Sequence, residues 1–119
     1  MTDSSSDSVA LVLTTFPDLD QARQIGTKLV ERQLIACITL LPPALSIYQW
    51  KETLEQNEEV PALLKTTRAA ISPLQNDLLS LHPYEVPEFL VIPVEGGLPS
   101  YLSWVRAQVN VSASPGKEC

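Results

Sequence analysis

Leu34-Ile35-Ala36-Cys37-Ile38-Thr39-Leu40-Leu41-Pro42-Pro43-Ala44-Leu45-Ser46-Ile47-Tyr48-Gln49-Trp50 is the stretch on which the fold turns. Leu34 to Leu41 is an apolar, branched run of the length of a buried strand. Pro42 and Pro43 cannot donate to a ladder and interrupt it, and strand-like alternation resumes from Ala44 to Trp50. Taken as one element, residues 34–50 would be about 50 Å long at roughly 3.3 Å per residue. A compact chain of 119 residues has an expected radius of gyration of about 14 Å. The strand must therefore bend or overhang. Overhanging strands expose apolar side chains and unpaired edges, which proteins cover or pair, so the length alone predicts self-association.

Working outward, the run is preceded by a helix. Asp18 followed by Gln21 is a capping-box pattern, and Leu19, Ala22, Ile25, Leu29 and Val30 recur at helical spacing up to about Gln33. Before it, Val9 to Thr15 reads as a short buried strand. After Trp50, the polar, acidic residues Lys51 to Glu59 read as a hairpin connection, with Val60 to Thr67 as the returning strand and Pro61 marking an edge or bulge. Ser72-Pro73 predicts a helix start, an N-cap followed by proline at the first helical position, running to Leu81. His82 to Glu88 is a proline-punctuated loop, Phe89 to Val94 a strand ended by Gly96-Gly97, and Pro99 to Val109 a closing helix. The order β-α-β-β-α-β plus a terminal helix predicts an α+β, ferredoxin-like fold, an antiparallel sheet with two helices on one face. The domain spans residues 9–109, between a disordered polar tail at 1–8 and a flexible tail at 110–119.

Composition narrows the function. Apolar residues make up 45% and charged ones 18%, enough apolar surface for one core without a metal or disulfide staple. Eight basic against fourteen acidic residues give a net charge of −6, the wrong sign for holding phosphate backbones, so no nucleic-acid partner is expected. The acidic start lacks a signal peptide's basic and apolar regions, and no run is long enough to span a membrane. A cytoplasmic protein with free thiols at Cys37 and Cys119 is expected. No Walker or Rossmann pattern is present.

Few residues carry chemistry. His82, the one histidine, follows a helix end; it reads either as a cation at a helix C-terminus or as a ligand or acid-base group. Glu88, beyond a stiff turn, reads as a lone carboxylate, an orienter of His82 or a co-ligand. Cys37 reads as a small core residue or, with His82 and Glu88, as part of a set suited to a borderline or soft transition metal, copper above zinc. Lys65 reads as a snorkelling edge residue, and Tyr48 and Trp50 as interface packing.

Together, Leu34-Ile35-Ala36-Cys37 after the first helix, Ser46-Ile47-Tyr48-Gln49-Trp50 before an acidic hairpin, Leu64-Lys65-Thr66-Thr67, His82-Pro83-Tyr84-Glu85-Val86-Pro87-Glu88 and Tyr101-Leu102-Ser103-Trp104 resemble the CutA family of divalent-cation tolerance proteins, in order and over Val9 to Val109. The resemblance implies a ferredoxin-like subunit in a homotrimer, with edge strands pairing between subunits and a likeness to PII-type signalling trimers. It implies inter-subunit clefts in which Cys37, His82 and Glu88 are the positions associated with copper and other divalent cations, with Trp50, Lys65 and Tyr84 lining the same clefts. Thr14 and Leu81 stand where some members carry a further cysteine and histidine, which implies weaker copper binding. Pro43 replaces a usual glycine and stiffens the bend, and Pro61 is also less usual. The function expected is a cytoplasmic, non-catalytic homotrimer that binds divalent metal, copper foremost, in metal response or PII-like sensing. The alternative is a trimeric scaffold or small-molecule sensor whose metal binding is incidental.

Overall fold

The structure, a computed structural model, describes residues 8–111. β1 (Val9–Phe16) leads to α1 (Leu19–Glu31), β2 (Cys37–Leu40), β3 (Ala44–Trp50), β4 (Thr53–Thr67), α2 (Ile71–Leu81), β5 (Leu90–Pro93) and α3 (Pro99–Gln108). All strand pairs are antiparallel, in the order β2-β4-β1-β5, with β3 also pairing with β4. The long apolar stretch is thus two strands laid end to end along β4 and parted by the prolines. The subunit is elongated, with extents of 46 × 34 × 24 Å.

α1 starts as its sequence predicts. The Gln21 backbone N–H donates to Asp18 Oδ1 at 2.8 Å, and the Gln21 amide donates to Oδ2 at 3.0 Å. The first of these bonds, chiefly, holds the Asp18 carboxyl below its ordinary value. A carboxyl depressed in the folded state adds stability above its unfolded pKa and loses it as pH falls through the folded one. Asp18→Ala is therefore expected to lower the thermal midpoint near neutrality, with the difference from wild type vanishing in acid. Equal midpoints at neutral pH would show that the cap contributes nothing.

Alternation along the sheet gives it two unlike faces. On one, Val12, Phe16, Val60, Ala62 and Leu64 pack against Ile25 and Leu29 of α1 and Leu74 and Leu78 of α2. Gly26 lets α1 lie close to β2, since a Cβ there would stand 3.0 Å from Ile38 Cδ1. On the other face α3 covers one end, where Val105 packs with Val9 and Ala36. Beyond α3 that face carries an apolar row of Leu11 and Leu13 on β1, Leu63 on β4, and Leu90 and Ile92 on β5, beside Lys65, Thr39 and Cys37, with Leu90 52% exposed.

Four expectations need correction. Lys51 to Glu59 is not a connection. The turn is only Lys51 and Glu52, both at positive φ (53° and 70°), and β4 begins at Thr53. Positive φ at both central residues suits the twist of a two-residue hairpin, but neither side chain announces it. The second strand starts at Cys37 rather than Leu34, because Gln33 takes a left-handed conformation and the buried Leu34 to Ala36 turn the chain into the sheet. α2 starts at Ile71, not behind a Ser72 cap. A 3-10 turn over Arg68–Ala70 already presents helical geometry to it, and Pro73 falls among the first four residues, whose N–H groups have no partner in the helix. The last strand is shorter than Phe89 to Val94. At the ends, the Ser8 carbonyl accepts from the Arg68 N–H, and the Asn110 N–H donates to the Gln33 carbonyl. Residues 1–7 and 112–119 of the two expected tails, Cys119 among them, lie outside the described residues.

Candidate functional site

The end of β1 anchors the loop that follows α2. Thr14 Oγ1 donates to the Glu88 carbonyl at 2.6 Å. His82 caps α2 with its backbone N–H on the Leu78 carbonyl, and its ring lies buried against Phe16, centroids 5.1 Å apart and nearly parallel. His82 Nδ1 accepts from the Tyr84 backbone N–H at 3.1 Å, so its Nε2 carries the proton that is donated to the Thr15 carbonyl at 2.7 Å. Both ring nitrogens are thereby used within the subunit. The imidazole acts as a staple between β1 and the loop.

The stapled loop carries Tyr84, Glu85 and Glu88 towards the β3–β4 hairpin. Pairing along the hairpin sets Tyr48 opposite Glu55 and Ala44 opposite Glu59. Tyr48, Glu55 and Glu59, with Trp50 near the tip, line a cleft of about 470 Å³ between hairpin and loop. Four carboxylates, Glu55, Glu59, Glu85 and Glu88, and three aromatic rings, Tyr48, Trp50 and Tyr84, line it. Asn57 holds Tyr48 in place by donating to its hydroxyl.

Glu59 differs from the other three carboxylates. It is only 8% exposed, and its Oε2 accepts from the Tyr84 hydroxyl at 2.8 Å. Burial, and then the Glu59 carboxylate itself, push the Tyr84 phenol far up, so it stays protonated and remains a donor. The ion pairs among the described residues are Arg23–Asp20 and Arg32–Asp77. Among the described residues Glu59 therefore has a hydroxyl partner but no cationic one, although burying a charge is expensive unless it is paired. Sequence reasoning missed it by placing it in a loop. The signal was its position next to Val60, in step with Pro61 and Leu63 on one side of β4 and facing the small Ala44.

The expected site residues separate. Glu88, Trp50 and Tyr84 line the cleft, and His82 lies behind it. Cys37 and Lys65 face each other across β2 and β4 at another part of the sheet, where Lys65 donates to Thr39 and Cys37 Sγ lies 3.9 Å from Tyr101 Oη. Burial, then Cys37, raises the Tyr101 phenol. Cys37, His82 and Glu88 therefore do not converge within one subunit, and among the described residues no three His, Cys, Asp or Glu side chains form a group that could hold a metal ion.

The family model of the CutA1 divalent ion tolerance protein matches residues 10–108, nearly the whole described chain. The chain belongs to the CutA1 family. It is 43% identical over 107 residues to the divalent-cation tolerance protein CutA of Escherichia coli, covering 90% of this chain and 96% of that one. It is 41% identical over 107 residues to Protein CutA of Mus musculus, spanning 90% of this chain but only 60% of the mouse protein. The crystal structure of CutA from Xylella fastidiosa superposes with a TM-score of 0.84 at 38% identity, covering 87% of this chain and 99% of that chain. CutA1 from Thermus thermophilus superposes at 0.83 with 37% identity, covering 86% and 99%. These relatives share the α+β fold described above. A CutA from Archaeoglobus fulgidus, with a TM-score of 0.83 and 27% identity over 86% of this chain and 99% of that one, is described as periplasmic.

Proposed function

We propose that the chain is a non-catalytic cation sensor of the cytoplasm that works as a homotrimer, taking up a divalent metal ion where a neighbouring copy completes the Glu59 cleft, whose own carboxylates do not converge within one subunit, and signalling it in the manner of PII-type proteins. One observation carries this reading: a buried carboxylate with no cationic partner among the described residues, at the wall of a cleft lined by three more carboxylates. Uptake of a cation offsets the cost of burying Glu59 and links the hairpin to the loop. Carboxylate donors suit hard or borderline cations, and among divalent ions Cu²⁺ heads the general affinity order. The family's association with divalent-ion tolerance supports the same reading. Self-association is supported by the apolar row on the open sheet face and by the overhanging hairpin, whose Leu45, Ile47 and Leu54 are exposed. Copies packed by these surfaces would complete the cleft and bring Cys37 of one copy nearer to the acidic residues of another.

Native mass spectrometry of the protein with Cu²⁺ and with Mn²⁺ tests it. A trimer binding one metal ion per subunit is expected, and Glu59→Gln, which keeps the acceptor for Tyr84, is expected to weaken uptake about tenfold or more. A trimer that binds no metal, or that binds it equally well with the Glu59→Gln substitution, would remove the cleft as the metal site.

A further inference from the structure

A metal ion explains the carboxylates of the cleft but not its size or its aromatic walls. A cavity of about 470 Å³ lies in the range of pockets that enclose small organic ligands, roughly 300–1,000 Å³. Metal coordination needs neither Tyr48 nor Trp50, whereas the face of an aromatic ring attracts an organic cation. The hairpin already shows this chemistry, with Lys51 Nζ 5.7 Å from the centre of the Trp50 ring.

We infer that the cleft between the β3–β4 hairpin and the 84–88 loop binds a small organic ammonium ion, its N–H groups on Glu59 and its apolar body against Tyr48 and Trp50. Glu59 sets the class. Oε2 is taken by Tyr84, and the remaining acceptor capacity of a buried, negatively charged group calls for a charged N–H donor. Glu55, Glu85 and Glu88 deepen the negative potential around the ammonium without being buried themselves. The rings supply apolar area on one side, and Asn57 fixes the Tyr48 hydroxyl so that this wall is preformed. The inference rests on the reading of the cleft as a cation site and changes the cation: ammonium and metal ion would exclude each other there.

The test is isothermal titration of the full chain with 2-phenylethylammonium chloride and with 2-phenylethanol, its neutral counterpart of the same shape. Saturable binding of the ammonium, at least about tenfold tighter than the alcohol, is expected. Glu59→Gln should abolish that preference, Trp50→Ala should weaken both ligands, and prior loading with Mn²⁺ should weaken the ammonium. No saturable binding, equal affinity for the alcohol, or an unchanged preference in Glu59→Gln would overturn the proposal. Metal uptake that depends on Glu59 without ammonium binding would leave the metal reading standing and end this one. Ammonium binding without metal uptake would do the reverse. Loss of assembly in Glu59→Gln, with neither ligand binding to wild type, would show that a neighbouring copy supplies the countercharge, and would overturn both.

Discussion

Replacing His82 with alanine is expected to lower the unfolding free energy by about 2–4 kcal/mol while leaving metal uptake per folded subunit unchanged. The cost has two sources. The Thr15 carbonyl and the Tyr84 N–H each lose their partner, and an orphaned buried polar group costs about 1–3 kcal/mol. The space left beside Phe16 adds a cavity penalty. His82→Phe separates the sources, since it keeps a ring against Phe16 and loses only the two hydrogen bonds; its loss should be smaller than that of alanine. Denaturant unfolding at fixed protein concentration reads the stability, and native mass spectrometry reads the metal, so a ligand role and a structural role part company. A stable His82→Ala that no longer binds Cu²⁺ would return the histidine to the metal site and unseat the staple.

The reason the sequence left both roles of His82 open is that its partners are not local. Thr15 lies on the first strand, far along the chain, and nothing in His82-Pro83-Tyr84 states that the ring turns inward. Two local signals agree with the structure, although the Ser72-Pro73 helix start does not. Asp18 and Gln21 cap α1 as their spacing predicts, and the proline pair breaks the long strand where expected. The hairpin shows the converse. Lys51 and Glu52 adopt left-handed conformations that glycine or asparagine would have announced, so a polar strand looked like a loop. That misreading hid the cleft, because Glu55 and Glu59 acquire their meaning only once residues 53–59 are known to be strand. Trp50, Tyr84 and Glu88 were assigned to a cleft through family resemblance. Cys37 and Lys65 were grouped with them by the same route and lie elsewhere in the subunit, on the sheet face that other copies would have to approach.

That face gives the second large effect. Leu63→Asp is expected to dissociate the proposed trimer into subunits of 13.1 kDa with the fold retained, as read by light scattering and circular dichroism. Leu63 lies mid-sheet, opposite Leu13 on one side and Thr39 on the other, and points away from the helices. In a lone subunit it is half-buried, and a carboxylate there keeps access to water, so the core formed by Val12, Phe16 and Leu64 is undisturbed. Against another copy the same carboxylate would be desolvated without a partner, at a cost of several kcal/mol per subunit, and copies packed by the same face would bring like charges together. If the variant remains fully assembled, the apolar row is not the contact surface. Association would then have to run through the hairpin, where Leu45 and Ile47 share a side and Leu54 pairs with Gln49 next to them. The two surfaces make different demands on the cleft. Contact through the sheet face leaves the hairpin to close over Glu59 from its own subunit, whereas contact through the hairpin makes every cleft depend on the copy beside it.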